Sequence, residues 1–255
     1  MRGLKGKVVV VTGGGGGIGR STCLRFAEEG AKVAVYDLNA EAAAAVAAEV
    51  VENGGQAEAV GIDLTDYAAL EKVVASTEAN LGPLDVLVNN IGWDVFLPFL
   101  KSEPAHWRKL ISINLITALN ALHIILPGMV ERGAGRVVSV ASDAARVGSS
   151  GESVYAACKA GLIALSKTLA REHARQGLTF NVVCPGLTET NMLEGFLQGA
   201  GDPEKLRKAY TRAIPLGRLG HPDDIPGAIV FLSSDDAAFI TGQVLSVSGG
   251  LTMND

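Results

Sequence analysis

Residues 8–19 read VVVVTGGGGGIG, an apolar run followed by a turn rich in glycine. The run predicts a buried strand, and the residues after it, with Leu24 and Phe26, predict a helix. Glycine lets the backbone turn sharply and approach a pyrophosphate, whose charge a helix N-terminus favours. A flexible loop is the alternative interpretation. We predict a dinucleotide-binding turn whose contacts come from Gly13, Gly16, Gly17, Ile18 and Gly19.

Short β-branched runs alternate with longer helical patterns along the rest of the chain. This alternation is typical of a parallel sheet, and runs that are apolar throughout indicate strands covered by helices on both faces. We predict an α/β fold: a doubly wound (Rossmann), mainly parallel sheet of about seven strands in a single domain, residues 1–255. The predicted strands are Lys7–Val11, Lys32–Tyr36, Ala57–Ile62, Asp85–Asn89, Arg136–Val140, Thr179–Val183 and Val244–Val247.

The composition excludes several classes of function. The chain has 22 Lys and Arg against 27 Asp and Glu, which leaves no broad cationic surface for nucleic acid. The apolar run at residues 8–11 is too short for a signal segment or a membrane span, so we expect a cytoplasmic protein without a membrane partner. Three widely spaced cysteines and four scattered histidines fit neither a disulfide framework nor a metal site. We expect no metal.

The second predicted strand leads to Asp37, an acidic residue placed after the glycines at close to the spacing of a ribose-binding carboxylate. Its charge would repel a ribose phosphate, and the neighbouring Gly16 and Leu38 supply no cation to neutralise one. These residues predict NAD rather than NADP as the cofactor. An ordinary turn residue is the alternative interpretation of Asp37.

Three residues in the second half of the chain predict acid–base chemistry. Tyr155 and Lys159 are four positions apart in a helical pattern, Glu152 to Ala174, so their side chains share one face. A nearby ammonium would lower the tyrosine pKa from about 10 towards working pH, so that Tyr155 could take a proton from an alcohol. Ser142, at the end of the fifth predicted strand, would stabilise the charge on the substrate oxygen. Taken singly, each residue is more often structural: Tyr155 a packing aromatic, Lys159 a solvated charge and Ser142 a helix cap.

The glycine turn and the Ser142, Tyr155 and Lys159 set, in this chain order, resemble the short-chain dehydrogenase/reductase family over essentially the whole chain. The resemblance implies that Asn114 completes a proton relay through Lys159. Ile91 departs from the alanine usual in the family at its position. The resemblance also implies cofactor contacts from residues after the third, fourth and sixth strands and from the catalytic helix: Asp63, Leu64, Asn90, Gly92, Pro185, Gly186, Thr188, Thr190, Tyr155 and Lys159.

Residues 187–213 are predicted to form a lid over the substrate, because an apolar stretch with Met192 and Phe196 lies between a Pro-Gly turn and a glycine-rich segment. Simple core filling explains the same stretch equally well.

The segments 92–94, 142–152 and 242–254 resemble those of family members that oxidise 2-hydroxycyclohexane-1-carboxyl-CoA to 2-ketocyclohexane-1-carboxyl-CoA in anaerobic degradation of benzoate-type acids. The resemblance implies an acyl-CoA thioester substrate and a homotetramer. Arg146 could contact CoA, or pair with Asp143 or Glu152 as surface structure. The candidate substrate contacts are Trp93, Asp94, Asp143, Arg146, Met192 and Phe196.

Two alternatives stay open at this point. The first is a 3-oxoacyl-thioester reductase or another short-chain alcohol dehydrogenase, although such reductases usually take NADPH and Asp37 disfavours it. The second is a dinucleotide-sensing module without turnover, a class that usually lacks one of the residues Tyr155 and Lys159.

Overall fold

The computed structural model describes residues 1–199 and 201–253, in which seven strands form one sheet with every neighbouring pair parallel. The strands are β1 (Val8–Thr12), β2 (Lys32–Asp37), β3 (Gln56–Gly61), β4 (Leu84–Asn89), β5 (Gly135–Val140), β6 (Leu178–Pro185) and β7 (Val244–Val247). Their order is β3-β2-β1-β4-β5-β6-β7, so the direction of winding reverses between β1 and β4. This confirms the predicted doubly wound α/β domain. Residues 200 and 254–255, within the predicted lid and domain, lie outside the described residues.

Helices follow the strands and cover both faces of the sheet. They are α1 (Gly17–Glu28), α2 (Ala40–Glu52), α3 (Tyr67–Leu81), α4 (Pro104–Ile111), α5 (Thr117–Arg132), α6 (Ala144–Val147), α7 (Ser153–His173), α8 (Asn191–Gln198), α9 (Pro203–Ala213) and α10 (Pro226–Ser233). A π-helical turn, Ser112–Ile116, joins α4 to α5. The predicted strand bounds differ mainly at β6, which runs on to Pro185. Ser142 lies in the loop after β5 rather than at its end, because β5 stops at Val140.

The valines of β1 explain why its sequence does not alternate. Val9 and Val11 pack on one face of the sheet with Phe26 of α1 and Ile229 of α10. Val8 and Val10 pack on the other face in a separate core cluster, built with apolar residues of α3 and α5. Both faces of the strand are therefore buried, as expected when helices cover a parallel sheet on each side.

The stretch Pro104–Arg132 is long and apolar enough, by length and composition, to cross a membrane. In the structure Ala121, Leu122, Ile125 and Met129 of this stretch are buried in the core cluster that includes β1 and β4. The apolar face formed by these four residues therefore packs against the sheet.

Candidate active site

A cavity of about 940 Å³ lies at the carboxyl ends of the strands, where doubly wound sheets bind ligands. Segments that follow each of the seven strands line it, so the fold brings distant parts of the chain together. The sequence-predicted residues on its wall are Gly13, Gly16, Gly17, Ile18, Asp37, Leu38, Asp63, Leu64, Asn90, Gly92, Trp93, Ser142, Asp143, Tyr155, Lys159, Pro185, Gly186, Thr188, Thr190, Met192 and Phe196.

The glycine turn begins at Gly13, whose φ of +65° favours glycine, and enters α1 at Gly17, with φ +50°. Gly19, whose contact with the cofactor stays a prediction, is buried in α1 and does not line the cavity. A Cβ atom at Gly19 would lie 1.9 Å from the Gly13 carbonyl oxygen, whereas one at Gly16 would meet nothing within 4 Å. Gly19 therefore allows the turn to close on the helix, and Gly16 leaves its outer side open.

Asn90 fixes the glycine turn to the end of β4. Its side-chain nitrogen donates hydrogen bonds to the carbonyl oxygens of Thr12 and Gly13, both at 3.1 Å. Its backbone N–H donates to the Thr12 hydroxyl at 3.0 Å. Asn90 was predicted to contact the cofactor, and the structure gives it a positioning role as well. Thr12 was missed, since its short side chain at a strand end carries no specific sequence signal.

Asp37 lies on the cavity wall and also holds the local backbone. One carboxylate oxygen accepts a hydrogen bond from the Gly15 N–H at 2.9 Å, and the other accepts from the Asn39 N–H at 2.9 Å. The two interpretations of Asp37, ribose contact and turn residue, are thus compatible. Its negative charge stands at the end of the cavity beside the glycine turn.

Asp63 and Leu64 form the next part of this wall. Asp63 accepts hydrogen bonds from the backbone N–H and the hydroxyl of Thr65, at 2.9 and 2.7 Å. The Leu64 carbonyl accepts from the Asn120 side chain at 2.9 Å, which ties the wall to α5. Asn120 was missed because its partner is far away in the sequence.

Lys159 is a buried amine that joins two strand ends. Its Nζ donates hydrogen bonds to the carbonyl oxygens of Ile91, at 2.8 Å, and Val140, at 3.0 Å. Burial lowers the pKa of Lys159 to about 8. A Cβ atom on Gly92 would lie 3.3 Å from Nζ, so glycine leaves room for the amine. The Ile91 side chain, larger than the family alanine, leaves the backbone contact to Lys159 intact.

Tyr155 lies one helical turn before Lys159, as predicted, and Nζ is 5.8 Å from the centre of the phenol ring. The pKa of Tyr155 was predicted to be lowered, and this prediction is wrong when only the groups of the protein itself act on the phenol. Burial raises that pKa, the negative charge of Glu152 raises it further, and a hydrogen bond with Ser142 acts the other way. Burial is the main cause, and the Lys159 amine donates its hydrogen bonds to the carbonyl groups of Ile91 and Val140 instead of the phenol. Surrounded by these protein groups, the Tyr155 phenol keeps its proton at neutral pH and can donate it.

Asn114 lies in the π-helical turn and off the cavity wall. Its side-chain oxygen accepts from the Trp93 N–H at 3.0 Å, and its nitrogen donates to the carbonyls of Trp93 and Leu110, at 2.8 and 3.0 Å. The amide therefore clamps the loop after β4 onto the helix. The proton-relay role remains a prediction.

The predicted substrate contacts separate into two groups. Trp93, Asp143, Met192 and Phe196 line the cavity, whereas Asp94 and Arg146 do not. Asp94 is only 6% exposed and lies behind the wall.

Arg146 donates a hydrogen bond to the Ser246 hydroxyl at 2.8 Å, and that hydroxyl donates to Asp143. The structure thus places Arg146 at β7, away from the cavity wall, where Ser246 links it to Asp143.

The segment 187–213 combines the two interpretations that the sequence left open. Leu193 and Leu197 of α8 are buried in a small core of their own, with Leu206 of α9 packed against it. Met192 and Phe196, on another face of α8, reach the cavity. The Phe196 ring meets the Phe96 ring edge to face, with centres 5.6 Å apart. Helices α8 and α9 thus pack on each other around a small core, and one face of α8 borders the cavity opposite the loop after β4.

Glu152 and Tyr210 are two of the cavity residues that were missed as functional candidates. Glu152 stands on the wall three positions before Tyr155, and Tyr210 reaches the wall from α9. The spacing of Glu152 from Tyr155 was a usable signal, since residues three apart on a helix are neighbours. Tyr210 offered only the helical spacing with Leu206, which also fits packing.

The glycine end of the cavity fits a dinucleotide. The N-cap of α1 is Gly16, which makes no side-chain hydrogen bond, and the first turn of α1 has no acidic residue. Within the described residues, the N–H groups that open α1 are therefore not capped by a side chain and can meet a phosphate. No group of three His, Cys, Asp or Glu suited to a metal ion occurs in residues 1–199 and 201–253.

The fold and the cavity define an oxidoreductase that acts on CH–OH groups with a nicotinamide dinucleotide, and three comparisons agree with this class. A family model described as enoyl-(acyl carrier protein) reductase matches residues 13–252. A 3-oxoacyl-[acyl-carrier-protein] reductase, FabG of Thermotoga maritima, is 37% identical over 98% of this chain and 99% of its own. BbsD of Thauera aromatica, a (2S)-[(R)-hydroxy(phenyl)methyl]succinyl-CoA dehydrogenase subunit, is 36% identical over 98% of each chain.

A solved structure of NAD+-bound xylitol dehydrogenase is also similar, with a TM-score of 0.94 and 32% identity, covering 98% of this chain and all (100%) of that one. The chain belongs to the short-chain dehydrogenase/reductase family. This membership agrees with the order in which the glycine turn, Ser142, Tyr155 and Lys159 occur along the chain.

Proposed function

We propose that this protein uses NAD to oxidise the secondary alcohol of a hydroxyacyl-CoA thioester. The specific reaction we propose is the conversion of 2-hydroxycyclohexane-1-carboxyl-CoA to 2-ketocyclohexane-1-carboxyl-CoA, a step in anaerobic degradation of benzoate-type acids. The observation that carries the proposal is that one cavity holds Ser142, Tyr155 and Lys159 at one part of its wall and the charge of Asp37 at another.

The glycine turn, Asp37 and the segment after β6 would hold the dinucleotide, and its oxidised nicotinamide would supply a hydride acceptor for the carbinol carbon and a positive charge that favours the phenolate. Tyr155 takes the carbinol proton, and the Ser142 hydroxyl stabilises charge on the substrate oxygen. Lys159 keeps the ends of β4 and β5 in place through Ile91 and Val140 and supplies a cationic amine one helical turn away. Asn114 keeps the loop after β4 in register with this set.

The choice of NAD rests on Asp37. A carboxylate whose two oxygens already accept hydrogen bonds from backbone N–H groups is fixed in position, so it stays where a ribose phosphate would have to lie. Like charges at close range disfavour binding. The names of BbsD, a CoA-thioester dehydrogenase subunit, and FabG support a thioester substrate.

A 3-oxoacyl-thioester reductase is the second candidate, favoured by the name of the FabG relative and by the raised pKa of Tyr155, which suits proton donation to a ketone. The two candidates differ in cofactor and direction. Purified protein is mixed with NAD or NADP and a panel of hydroxyacyl-CoA thioesters, and reduced nicotinamide is followed by absorbance. We expect NAD reduction with the 2-hydroxycyclohexane thioester. A preference for NADPH and for straight-chain 3-oxoacyl thioesters would favour the reductase instead.

We also propose a homotetramer, a lid at residues 187–213 and a cytoplasmic location. Ile111, Ile116 and Leu119, on and beside α5, are exposed apolar residues that a partner subunit could cover. The three cysteines are buried and free, which suits a reducing compartment. Sedimentation of the purified chain tests the tetramer, and a monomer would reject it.

A further inference from the structure

An exposed side of α9 carries a second groove, separate from the catalytic cavity. The groove has a volume of about 480 Å³ and is lined by Lys205, Lys208, Ala209, Arg212 and Ala213. All five residues are exposed to solvent. A groove of this size can hold part of a small-molecule ligand. Its three long side chains are cationic, and no step of the proposed mechanism uses them.

Helical spacing explains the form of this groove. Residues four apart are neighbours on the surface of a helix. Lys208 and Arg212 form one such row, and Lys205, Ala209 and Ala213 form another. The two alanines leave space beside the cations, because each has a single methyl group as its side chain. The groove therefore has a small apolar floor and a cationic rim that extends about 10 Å along the helix, at 1.5 Å per residue.

The positive charge of the groove is not neutralised by the part of the chain that the structure describes. None of the three cations forms an ion pair with an acidic side chain there. Arg207 of the same helix differs, since it binds Glu189 and Glu194 and so ties α9 to the segment after β6 and to α8. The chain as a whole has a net charge of −5, so this groove is a local concentration of the opposite sign. An anionic ligand is attracted to such a place.

The same helix borders the catalytic cavity. Tyr210 of α9 lines that cavity, and Leu206 packs against the small core that contains Leu193 and Leu197 of α8. The groove and Tyr210 therefore belong to one helix, whose diameter with side chains is about 10 to 12 Å. A ligand that extends out of the cavity past Tyr210 has only to cross about the width of this helix to reach the groove.

We propose that this groove binds the phosphate groups of CoA while the acyl group of the thioester occupies the cavity. CoA joins a flexible, uncharged pantetheine arm to a nucleotide that carries a diphosphate and a further phosphate on the ribose. The arm passes Tyr210, and Lys205, Lys208 and Arg212 bind the phosphates through charge-assisted hydrogen bonds. This deepens the proposed function and rests on its thioester substrate. It assigns a site to the part of the substrate that does not react.

The test compares two inert thioesters, cyclohexanecarboxyl-CoA and cyclohexanecarboxyl-pantetheine. They carry the same acyl group, without an alcohol or ketone to react, and differ only in the phosphorylated nucleotide. Their affinities are measured by calorimetry with NADH bound, so that the nucleotide of CoA does not enter the dinucleotide site. We expect the wild-type protein to bind the CoA thioester about tenfold more tightly at low salt, the effect of several exposed ion pairs. This advantage decreases as salt rises, because exposed charges are screened.

A triple variant that combines Lys205→Gln, Lys208→Gln and Arg212→Gln removes the charge of the groove and keeps long polar side chains. We expect its affinity for the CoA thioester to fall by about tenfold, because the phosphates lose their ion pairs. Its affinity for the pantetheine thioester should equal that of the wild type, since this ligand carries no phosphate. NADH affinity and the unfolding temperature report whether the variant is folded.

The matched control combines Lys5→Gln, Lys72→Gln and Arg175→Gln. These three exposed cations lie outside α9 and line neither the cavity nor the groove. The control changes the net charge of the chain by the same amount as the triple variant. It should therefore bind both thioesters as tightly as the wild type.

Equal affinity of the wild type for the two thioesters would overturn the proposal, and so would the same loss of CoA affinity in the control and the triple variant. A triple variant that keeps its CoA affinity but loses activity with a 3-oxoacyl thioester of an acidic acyl carrier protein would also overturn it, in favour of a protein partner. Neither ligand is turned over, so the result is separate from the proposed reaction. Failure to reduce NAD with the 2-hydroxycyclohexane thioester would reject that substrate while leaving the calorimetric comparison valid.

Discussion

The two ends of the cavity are built in different ways. At the dinucleotide end, side chains of Asn90 and Asp37 hold backbone atoms of the glycine turn through hydrogen bonds of 2.9 to 3.1 Å. At the substrate end, the wall consists of side chains that meet each other, such as Phe96 and Phe196. The first end depends on backbone positions that few residues tolerate, and the second depends on side chains that can be exchanged. This difference suggests why one fold can keep a cofactor and change its substrate.

The largest effect is expected at the dinucleotide end, in Gly19→Ala. The added Cβ atom would lie 1.9 Å from the Gly13 carbonyl oxygen, so the turn must move. Overpacking of this kind costs about 3 kcal/mol, and we expect dinucleotide affinity to fall by about 100-fold. Fluorescence titration with NADH measures it. The matched control is Gly16→Ala, whose Cβ atom meets nothing within 4 Å and should leave the unfolding temperature unchanged. Equal NADH affinity in Gly19→Ala and the wild type would contradict the comparison.

Lys159→Met tests the buried amine between the two ends. Its pKa in the folded chain is about 8, below the ordinary 10.5, because burial disfavours the charge. The unfolded chain therefore binds this proton more tightly, and the free energy of unfolding rises with pH above 8. Relative to Lys159→Met, the wild type should gain roughly 2 kcal/mol between pH 7 and 9.5. Urea denaturation at several pH values measures this. Parallel pH profiles for the two proteins would show that the amine is not destabilised by burial.

Asp37→Asn removes a charge and keeps a side-chain oxygen that can accept one of the two backbone N–H groups. We expect the preference for NAD over NADP to fall by about tenfold, because repulsion of the ribose phosphate is lost. The ratio of kcat/KM for the two cofactors measures it. Asp63→Asn is the matched control, since Asp63 also lines the cavity and its carboxylate accepts hydrogen bonds from the backbone N–H and the hydroxyl of Thr65. The same fall in both variants would remove Asp37 as the selective residue.

Phe196→Ala should have the smallest effect, at the substrate end. It removes an edge-to-face ring contact worth about 0.5 to 1.5 kcal/mol, so KM for the thioester should rise about threefold to tenfold with NAD affinity unchanged. Steady-state kinetics with each substrate varied in turn measures both. Leu197→Ala is the control, because Leu197 is 2% exposed and packs in the small core of α8 rather than on the cavity wall. A loss of NAD affinity in Phe196→Ala would mean that the substrate end of the cavity also determines dinucleotide binding, which contradicts the comparison.

The same difference decides what the sequence could predict. The glycine turn, Asp37 and the Tyr155–Lys159 pair are local patterns, because backbone turning and helical spacing act over a few residues. The doubly wound parallel sheet follows from the alternation of strands and helices. These predictions needed no knowledge of distant contacts.

Predictions that depended on distant contacts were less successful. Arg146 was a candidate for contact with CoA or for pairing with Asp143 or Glu152, and contact with CoA stays a prediction. Its hydrogen bond to Ser246 of β7, far away in the sequence, was missed. Asp94 was expected on the wall and is buried behind it. The pKa of Tyr155 was expected to fall, and burial raises it, because solvent exclusion and the carbonyl partners of Lys159 are properties of the folded chain.

The central claim is that Tyr155 exchanges the proton of the carbinol. Single-turnover hydride transfer to NAD, measured by stopped flow in Tyr155→Phe with the CoA thioester that the wild type turns over, tests it directly. The account predicts a rate about 10²- to 10⁴-fold slower than the wild type, with NAD affinity and unfolding temperature unchanged. A Tyr155→Phe protein that is folded, binds NAD and transfers hydride at the wild-type rate would contradict the account.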